Sequence, residues 1–369
     1  MPIKHLVFCG GAHSVCRTVG ALYELEEKQV WKRENIQTIY GTSAGGMLGV
    51  CVCLGFDKKT LQDYMIERKW HKSFKLSAEQ FLDAFVTKGI LGNDFSEIIF
   101  KPLLFAKGLS LQVTMKELYE FSNIELHMFT LELNNYVLED ISYKTHPDLP
   151  VLDAILMTSA VTPLIAPVIK DGKCYVDGGF ITNYPLQHCL NHGHKKEEIL
   201  GFRFSYFDEE PFPVKEAVLG EEHAHEETPT NSKRNIRPLK PSNPITLESN
   251  IFDFMINFII RNVIYIGTEF KQPEIPYEVV CDTRMLSFEI FSTFVKTRDY
   301  RKLMIDSGIY YANEFLKYHP NCIQEINAYG CNEEEDDDED EVKREAKEED
   351  EEPLPHIEEK TMDLDNNHL

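Results

Sequence analysis

The sequence has no concentrated stripe of lysine and arginine, so the electrostatic footprint by which proteins neutralise nucleic-acid phosphates is missing. Its nine cysteines include no C-x-x-C pair and no ligand-like spacing with histidine; Cys51 and Cys53 fall in an apolar run and point to different sides of a helix. That scatter fits small apolar fillers in a reducing compartment and argues against a disulfide framework or a zinc site. The opening MPIKHLVFCGG reads as a strand entering a turn, without the basic start, long apolar middle and small-residue cleavage site of a secretory signal. The most apolar later window, Ile251 to Ile266, is interrupted by Asp253, Asn257, Arg261 and Asn262, which makes it too short and too polar to span a bilayer. The expectation is a cytoplasmic protein that touches membranes only peripherally and transiently. No nucleic-acid partner, metal or cofactor is expected.

What the chain does have is enough apolar content, 43% of 369 residues, for a sizeable core. Its formal charge of −23 is unevenly spread, because the run Glu333–Glu352 sets fifteen acids against Lys343, Arg344 and Lys347. We therefore expect a mildly acidic body over residues 1–331 and an acidic, disordered tail over 332–369. That tail serves solubility, acts as a spacer or binds a protein partner. Within the body, residues 207–245 are rich in Pro, Glu, His and Asn and are expected to form a mobile loop.

Along the body, Ile3–Phe8 reads as an apolar strand ending in Cys9-Gly10-Gly11, followed by a helix from Arg17 to about Glu27. A second strand, Ile36–Tyr40, runs into Gly41-Thr42-Ser43-Ala44-Gly45 and a small-residue helix, Gly46–Leu54. This alternation predicts a mainly parallel sheet covered by helices. Leu61 to Leu118 reads as helices. Extended stretches follow over Glu125–Asp140, with a turn at Asn134-Asn135, and over Val168–Val176, with a turn at Asp171-Gly172. A short helix, Val151–Ser159, lies between them. Ile199–Ser205 is a buried strand, and helices over Leu247–Ile266 and Asp299–Lys317 close the body.

The strand–GTSAG–helix unit is the most informative segment. A nucleophile elbow forces its serine into a strained conformation, and the residues two places either side must be almost side-chain-free for strand and helix to meet. Ser43, flanked by Gly41 and Gly45, satisfies this and sits where helix-terminal N–H groups favour a developing oxyanion. From the pentapeptide alone, a glycine-rich turn with a capping serine explains the pattern equally well. A serine nucleophile also needs a base. His188, His192 and His194 lie in a polar turn, His223 and His225 in the acidic loop, and His319 after the last helix, so a Ser-His-Asp arrangement has poor candidates.

A second motif supplies the base. The stretch from Ser159 to Leu186, SAVTPLIAPVIKDGKCYVDGGFITNYPL, ends in D-G-G-x-x-x-N-Y-P at Asp177-Gly178-Gly179 through Pro185. With GTSAGG at Gly41–Gly46 and the opening LVFCGG, it closely resembles the patatin-like phospholipases over residues 3–190; residues 191–331 resemble the variable remainder of that domain. The resemblance implies a three-layer α/β/α sandwich around a mainly parallel sheet. It also implies a Ser43 nucleophile, with Asp177 as a base acting without histidine and turned by Gly178-Gly179. The implied activity is metal-free hydrolysis of ester-linked acyl chains, on membrane or micellar phospholipid by default. Gly10, Gly11, Ala12 and Ala44 are the implied oxyanion positions.

One segment departs from the family pattern G-G-G-x-[RK]-G: the chain reads Gly10-Gly11-Ala12-His13-Ser14-Val15. Two glycines and the basic residue are replaced, and Arg17 or His13 is the candidate substitute for the lost charge. The departure motivates an alternative, a catalytically weakened lipid-binding or assembly protein. Apolar candidates for membrane contact are Phe81, Phe85, Ile90 and Leu91, or Phe252, Phe254 and Phe258, although helical spacing of this kind more often marks core.

Overall fold

The computed structural model describes residues 2–74, 78–207, 249, 251–269 and 272–320. The expected loop, apart from Phe207 at a strand end, and the expected acidic tail lie outside these residues. Strand β1 (His5–Phe8) is buried along its whole length, as the apolar run Leu6–Phe8 demands of a central parallel strand, with the His5 ring paired to the Thr38 hydroxyl at 2.7 Å. Helix α1 (Val15–Glu27) returns the chain to β2 (Thr38–Thr42), which pairs parallel to β1 and feeds α2 (Ala44–Cys53). Helix α2 is apolar and small all round and is correspondingly buried almost all round.

A helical excursion follows: α3 (Lys58–Glu67), α4 (Trp70–Ser73), α5 (Ala78–Thr87), α6 (Phe95–Ala106) and α7 (Met115–Ser122). Local chemistry sets their ends. The Asp57 carboxylate accepts the Thr60 N–H at 2.8 Å to cap α3, and Thr114 and Glu117 form a reciprocal capping box on α7. Strand β3 (Glu125–Glu132) then pairs parallel to β2 and turns into the antiparallel β4 (Val137–Ile141), the hairpin expected about Asn134-Asn135.

Helix α8 (Val151–Ser159) precedes the hairpin β5 (Val168–Lys170) and β6 (Lys173–Asp177), whose turn residues Asp171 and Gly172 both have positive φ. Short helices α9 (Gly179–Thr182) and α10 (Leu186–Asn191) lead to β7 (Ile199–Phe207), which pairs parallel to β1 on the flank away from β2. After α11 (Ile251–Glu269), β8 (Tyr277–Arg284) adds a parallel edge beside β7, and α12 (Phe288–Lys296) and α13 (Arg298–Tyr318) follow.

The sheet order is β5-β6-β3-β2-β1-β7-β8, with β4 pairing β3 off that path. It is mostly parallel and flanked by helices, as the strand–helix alternation predicts. Strand β8 is an addition to the elements expected from sequence. Its alternating burial, with Val279, Cys281 and Thr283 inward, is a period-two signal present in YEVVCDTR.

Candidate active site

Register alone brings the two motif residues together. Strand β4 borders β3 over Met128–Glu132, while β2 pairs with Glu125–Phe129 and β6 with Thr130–Glu132. A strand has two flanks, so β2 and β6 must share the one that β4 leaves free. Thr42, the last residue of β2, is opposite Phe129, and Asp177, the last of β6, is opposite the next residue, Thr130. Ser43 and Asp177 therefore emerge side by side from strands that end head to head, and both line one cleft.

Ser43 is a tight elbow. Its φ of 57° and ψ of −128° lie outside the regions L-residues ordinarily occupy. The surroundings hold it there. Its N–H donates to the Thr158 hydroxyl oxygen at 3.0 Å, and that hydroxyl donates to the Phe129 carbonyl at 2.6 Å. Thr158 thus ties the elbow to β3 from α8, a role no sequence motif signalled. On the helix side, a Cβ built on Gly45 would lie 2.5 Å from the Phe8 carbonyl oxygen, so α2 approaches β1 as closely as backbone permits.

Asp177 is buried, and one oxygen accepts the Gly179 N–H at 2.7 Å. Burial pushes its carboxyl up from 3.8 to about 6, against the opposing pull of hydrogen bonds from the Ser43 hydroxyl and the Gly179 N–H. A carboxylate with this value is ionised at neutral pH and is a stronger base than an exposed one.

In the Gly10–Val15 segment the structure separates what the sequence left together. The Gly10 N–H is committed to the Asn183 carbonyl at 2.9 Å, and the Asn183 side chain donates back to the Gly10 carbonyl at 3.1 Å. The N–H groups of Gly11 and Ala12, in the cleft lining, and of Ala44, at the start of α2, have no acceptor among the described residues. Val15 sits in ordinary helical geometry at φ −54°, so that position does not need glycine. Ala12 does bear the cost of the missing one, with φ at 46°. Ala12→Gly is accordingly expected to stabilise the fold by about 0.5–1 kcal/mol. Urea unfolding checks this, and a variant less stable than wild type would mean that the loop does not hold this conformation.

Neither candidate replaces the missing positive charge. Arg17 is fully buried and donates to the Ser307 hydroxyl of α13, away from the cleft lining. His13 is also buried; desolvation, then the Arg17 and Arg284 charges, lower its imidazole to about 3 and keep it neutral.

The cleft encloses about 50 Å³ and includes no histidine in its lining. His192 and His194 instead converge on the Tyr40 hydroxyl at 2.6 and 3.0 Å, in a separate polar cavity of about 370 Å³ shared with His127, Asp140 and Glu125. The turn that carries them is exposed over residues 191–193, as its polar sequence suggested, with the two imidazoles reaching in to Tyr40 on β2. His188 packs on Phe129 and His319 on Phe315; His223 and His225 lie outside the described residues. Among the described residues no helix is long and apolar enough to cross a membrane.

A mostly parallel α/β sheet with a serine elbow facing a buried aspartate defines a class of protein, and the family comparison names it. Residues 6–190 match the patatin-like phospholipase family model, and the chain belongs to that family. It is 24% identical over 198 residues to the probable lipid hydrolase 463L of invertebrate iridescent virus 6, covering 53% of this chain and 66% of that protein. It is 26% identical over 186 residues to the uncharacterized protein R571 of Acanthamoeba polyphaga mimivirus, covering 50% and 60%. The matches thus take in less than two thirds of either relative. Among solved structures it is similar to VipD from Legionella pneumophila, with a TM-score of 0.48 and 14% identity over 86% of this chain and 67% of that one.

Proposed function

We propose that this protein is a lipid acyl hydrolase of phospholipase A type, cleaving carboxylic esters of glycerolipids through an acyl-enzyme on Ser43 with Asp177 as base. The observation that carries the proposal is the pairing of a strained serine with a buried aspartate, raised to about 6, in one cleft lined without histidine. Family membership and the lipid hydrolase name of the iridescent virus relative support it.

In this mechanism Ser43 Oγ attacks the ester carbonyl carbon and its proton passes to an Asp177 oxygen. The carbonyl oxygen becomes the tetrahedral oxyanion, for which the uncommitted N–H groups of Gly11, Ala12 and Ala44 and the N-terminal end of α2 supply positive potential. The C–O bond to the glycerol breaks, and the departing alkoxide takes the proton from Asp177. Water then loses a proton to Asp177 and attacks the acyl-enzyme carbonyl. Fatty acid leaves as Ser43 recovers its hydrogen. Gly10 serves this mechanism as a structural link to Asn183, since its N–H is already bonded.

The test is fatty-acid release from mixed phospholipid vesicles, read by mass spectrometry, for wild type and Ser43→Ala. The alanine variant is expected to lose at least about 10⁴-fold in rate. No release from wild type, with vesicle binding retained, would instead favour the weakened lipid-binding protein suggested by the altered Gly10–Val15 segment.

A further inference from the structure

Helix α11 is apolar on two opposite sides. Its inner side puts Ile259, Ile260, Val263 and Ile264 into the lining of the Ser43–Asp177 cleft. Its outer side carries Ile251, Phe254, Met255, Phe258 and Tyr265 at helical spacing, all exposed, with Asn262 the polar member of the stripe. A surface helix ordinarily turns charged residues to water on that side. The stripe continues onto α5, joined to α11 by Phe252, which stacks edge-on against Phe81 at 5.4 Å and Phe85 at 5.7 Å. On α5, Leu82, Phe85 and Val86 are 70%, 68% and 78% exposed. Of the apolar candidates suggested by the sequence, Ile90 and Leu91 prove buried, whereas Phe85, Phe254 and Phe258 are exposed.

We infer that the joined faces of α5 and α11 dock on a zwitterionic lipid surface. Two properties select that occupant. The face is continuous with the cleft, since one helix forms the cleft wall and the exposed stripe, as an enzyme drawing acyl chains from an interface needs. Among the described residues the face is also without a basic cluster: Glu79 and Asp83 stand against Arg261 and the adjoining Lys88. Anionic head groups are held by clustered Lys and Arg, and the described residues of this face supply no such cluster. Affinity then comes from removing the large apolar side chains from water. Docking also explains the narrow cleft. About 50 Å³ is below the roughly 300–1,000 Å³ of ordinary ligand sites, so an acyl chain needs the cleft to widen, and α11 is the wall of it that a docked lipid surface would touch. The docking inference rests on reading the cleft as a lipid-ester site.

The experiment uses full-length Ser43→Ala, which separates binding from hydrolysis, in co-sedimentation with sucrose-loaded phosphatidylcholine vesicles. Binding is expected, unchanged by high salt and not improved by adding phosphatidylglycerol. Leu82→Asp and Phe258→Asp in the same background are each expected to weaken partitioning by about tenfold or more, and Val137→Asp, an exposed apolar residue on β4, to leave it unaltered. Circular dichroism verifies that each variant is folded. Should the aspartate variants misfold, amide hydrogen exchange on Ser43→Ala decides, with slower exchange over residues 78–87 expected on adding vesicles. Absent binding, binding only to anionic vesicles, unaffected variants or unchanged exchange would each overturn docking; so would self-association through this face without lipid binding. Vesicle binding by a chain whose wild type releases no fatty acid would sustain docking and sink the hydrolase proposal instead.

Discussion

Replacing Asp177 by asparagine is expected to extinguish ester hydrolysis and at the same time to make the folded protein more stable at neutral pH. The two effects share one cause. Burial disfavours the charged carboxylate and raises it from 3.8 to about 6, which makes Asp177 a useful base and a costly residue. Because its folded value lies above its unfolded one, the native state holds this proton to higher pH. The resulting stability is complete below 3.8 and is lost as pH rises through about 6. Above that, the ionised group costs the fold up to about 3 kcal/mol at 1.36 kcal/mol per pH unit. Asparagine keeps an oxygen for the Gly179 N–H and carries no charge, so it should recover much of that cost.

Denaturant unfolding of wild type and Asp177→Asn at pH 8 and near pH 4 is the direct comparison. A gap of a few kcal/mol at pH 8 that closes near pH 4 is expected. An asparagine variant less stable at pH 8 would show that the carboxylate is held by favourable contacts and is no strained base. For activity, asparagine cannot accept the serine proton, and a loss of roughly 10³–10⁴-fold in kcat is expected. Wild-type kcat/KM should rise with pH through about 6 and level off above it. A profile that falls over this range would require the protonated acid and contradict the assigned role.

The second large effect is mechanical. Gly45→Ala places a Cβ 2.5 Å from the Phe8 carbonyl oxygen and 2.9 Å from that of Cys9, both backbone atoms at the end of the central strand. Neither can retreat without loosening β1 from its neighbours, so a loss of about 3 kcal/mol or more is expected. The neighbouring Gly46→Ala meets only side-chain atoms of Met128 and Thr158, at 3.1 and 3.2 Å, which can give way. It should cost far less. Thermal melts of the pair provide the measurement; equal melting temperatures would mean that α2 does not press on β1 as described.

The pair of substitutions also shows how unevenly the site could be read from the chain. Asp177 stood out only through the resemblance of the longer Ser159–Leu186 motif, whereas GTSAG marked Ser43 as a candidate because an elbow is a local device, a strand, a turn needing small residues and a helix within about ten residues. The Asp171-Gly172 and Asn134-Asn135 hairpins were legible for the same reason. Strand β8 carries its alternation over eight residues, but Glu278, Asp282, Thr283 and Arg284 keep it from reading as an apolar run like β1 or β7.

Other features had no local signal at all. Arg17 looked like a solvated helix-start residue and is instead buried against Ser307, 290 positions away. His192 and His194 looked like a polar turn and bond the Tyr40 hydroxyl on β2. Thr158 carried no motif, yet it accepts the Ser43 N–H. The exposed outer stripe of α11 was indistinguishable from a core face, because helical spacing records that one side is apolar without saying what lies opposite.

Turn chemistry and residue periodicity act over a few neighbouring dihedrals, and they marked the strands and the elbow, while the resemblance of the longer motifs to the patatin-like family singled out Ser43 and Asp177 as candidates. That β2 and β6 share one flank of β3, that Asn183 consumes the Gly10 N–H, and that α11 stands over the cleft are consequences of sheet order and long-range packing. Those depend on which surfaces meet after the chain has folded, and no local pattern of residues encodes them.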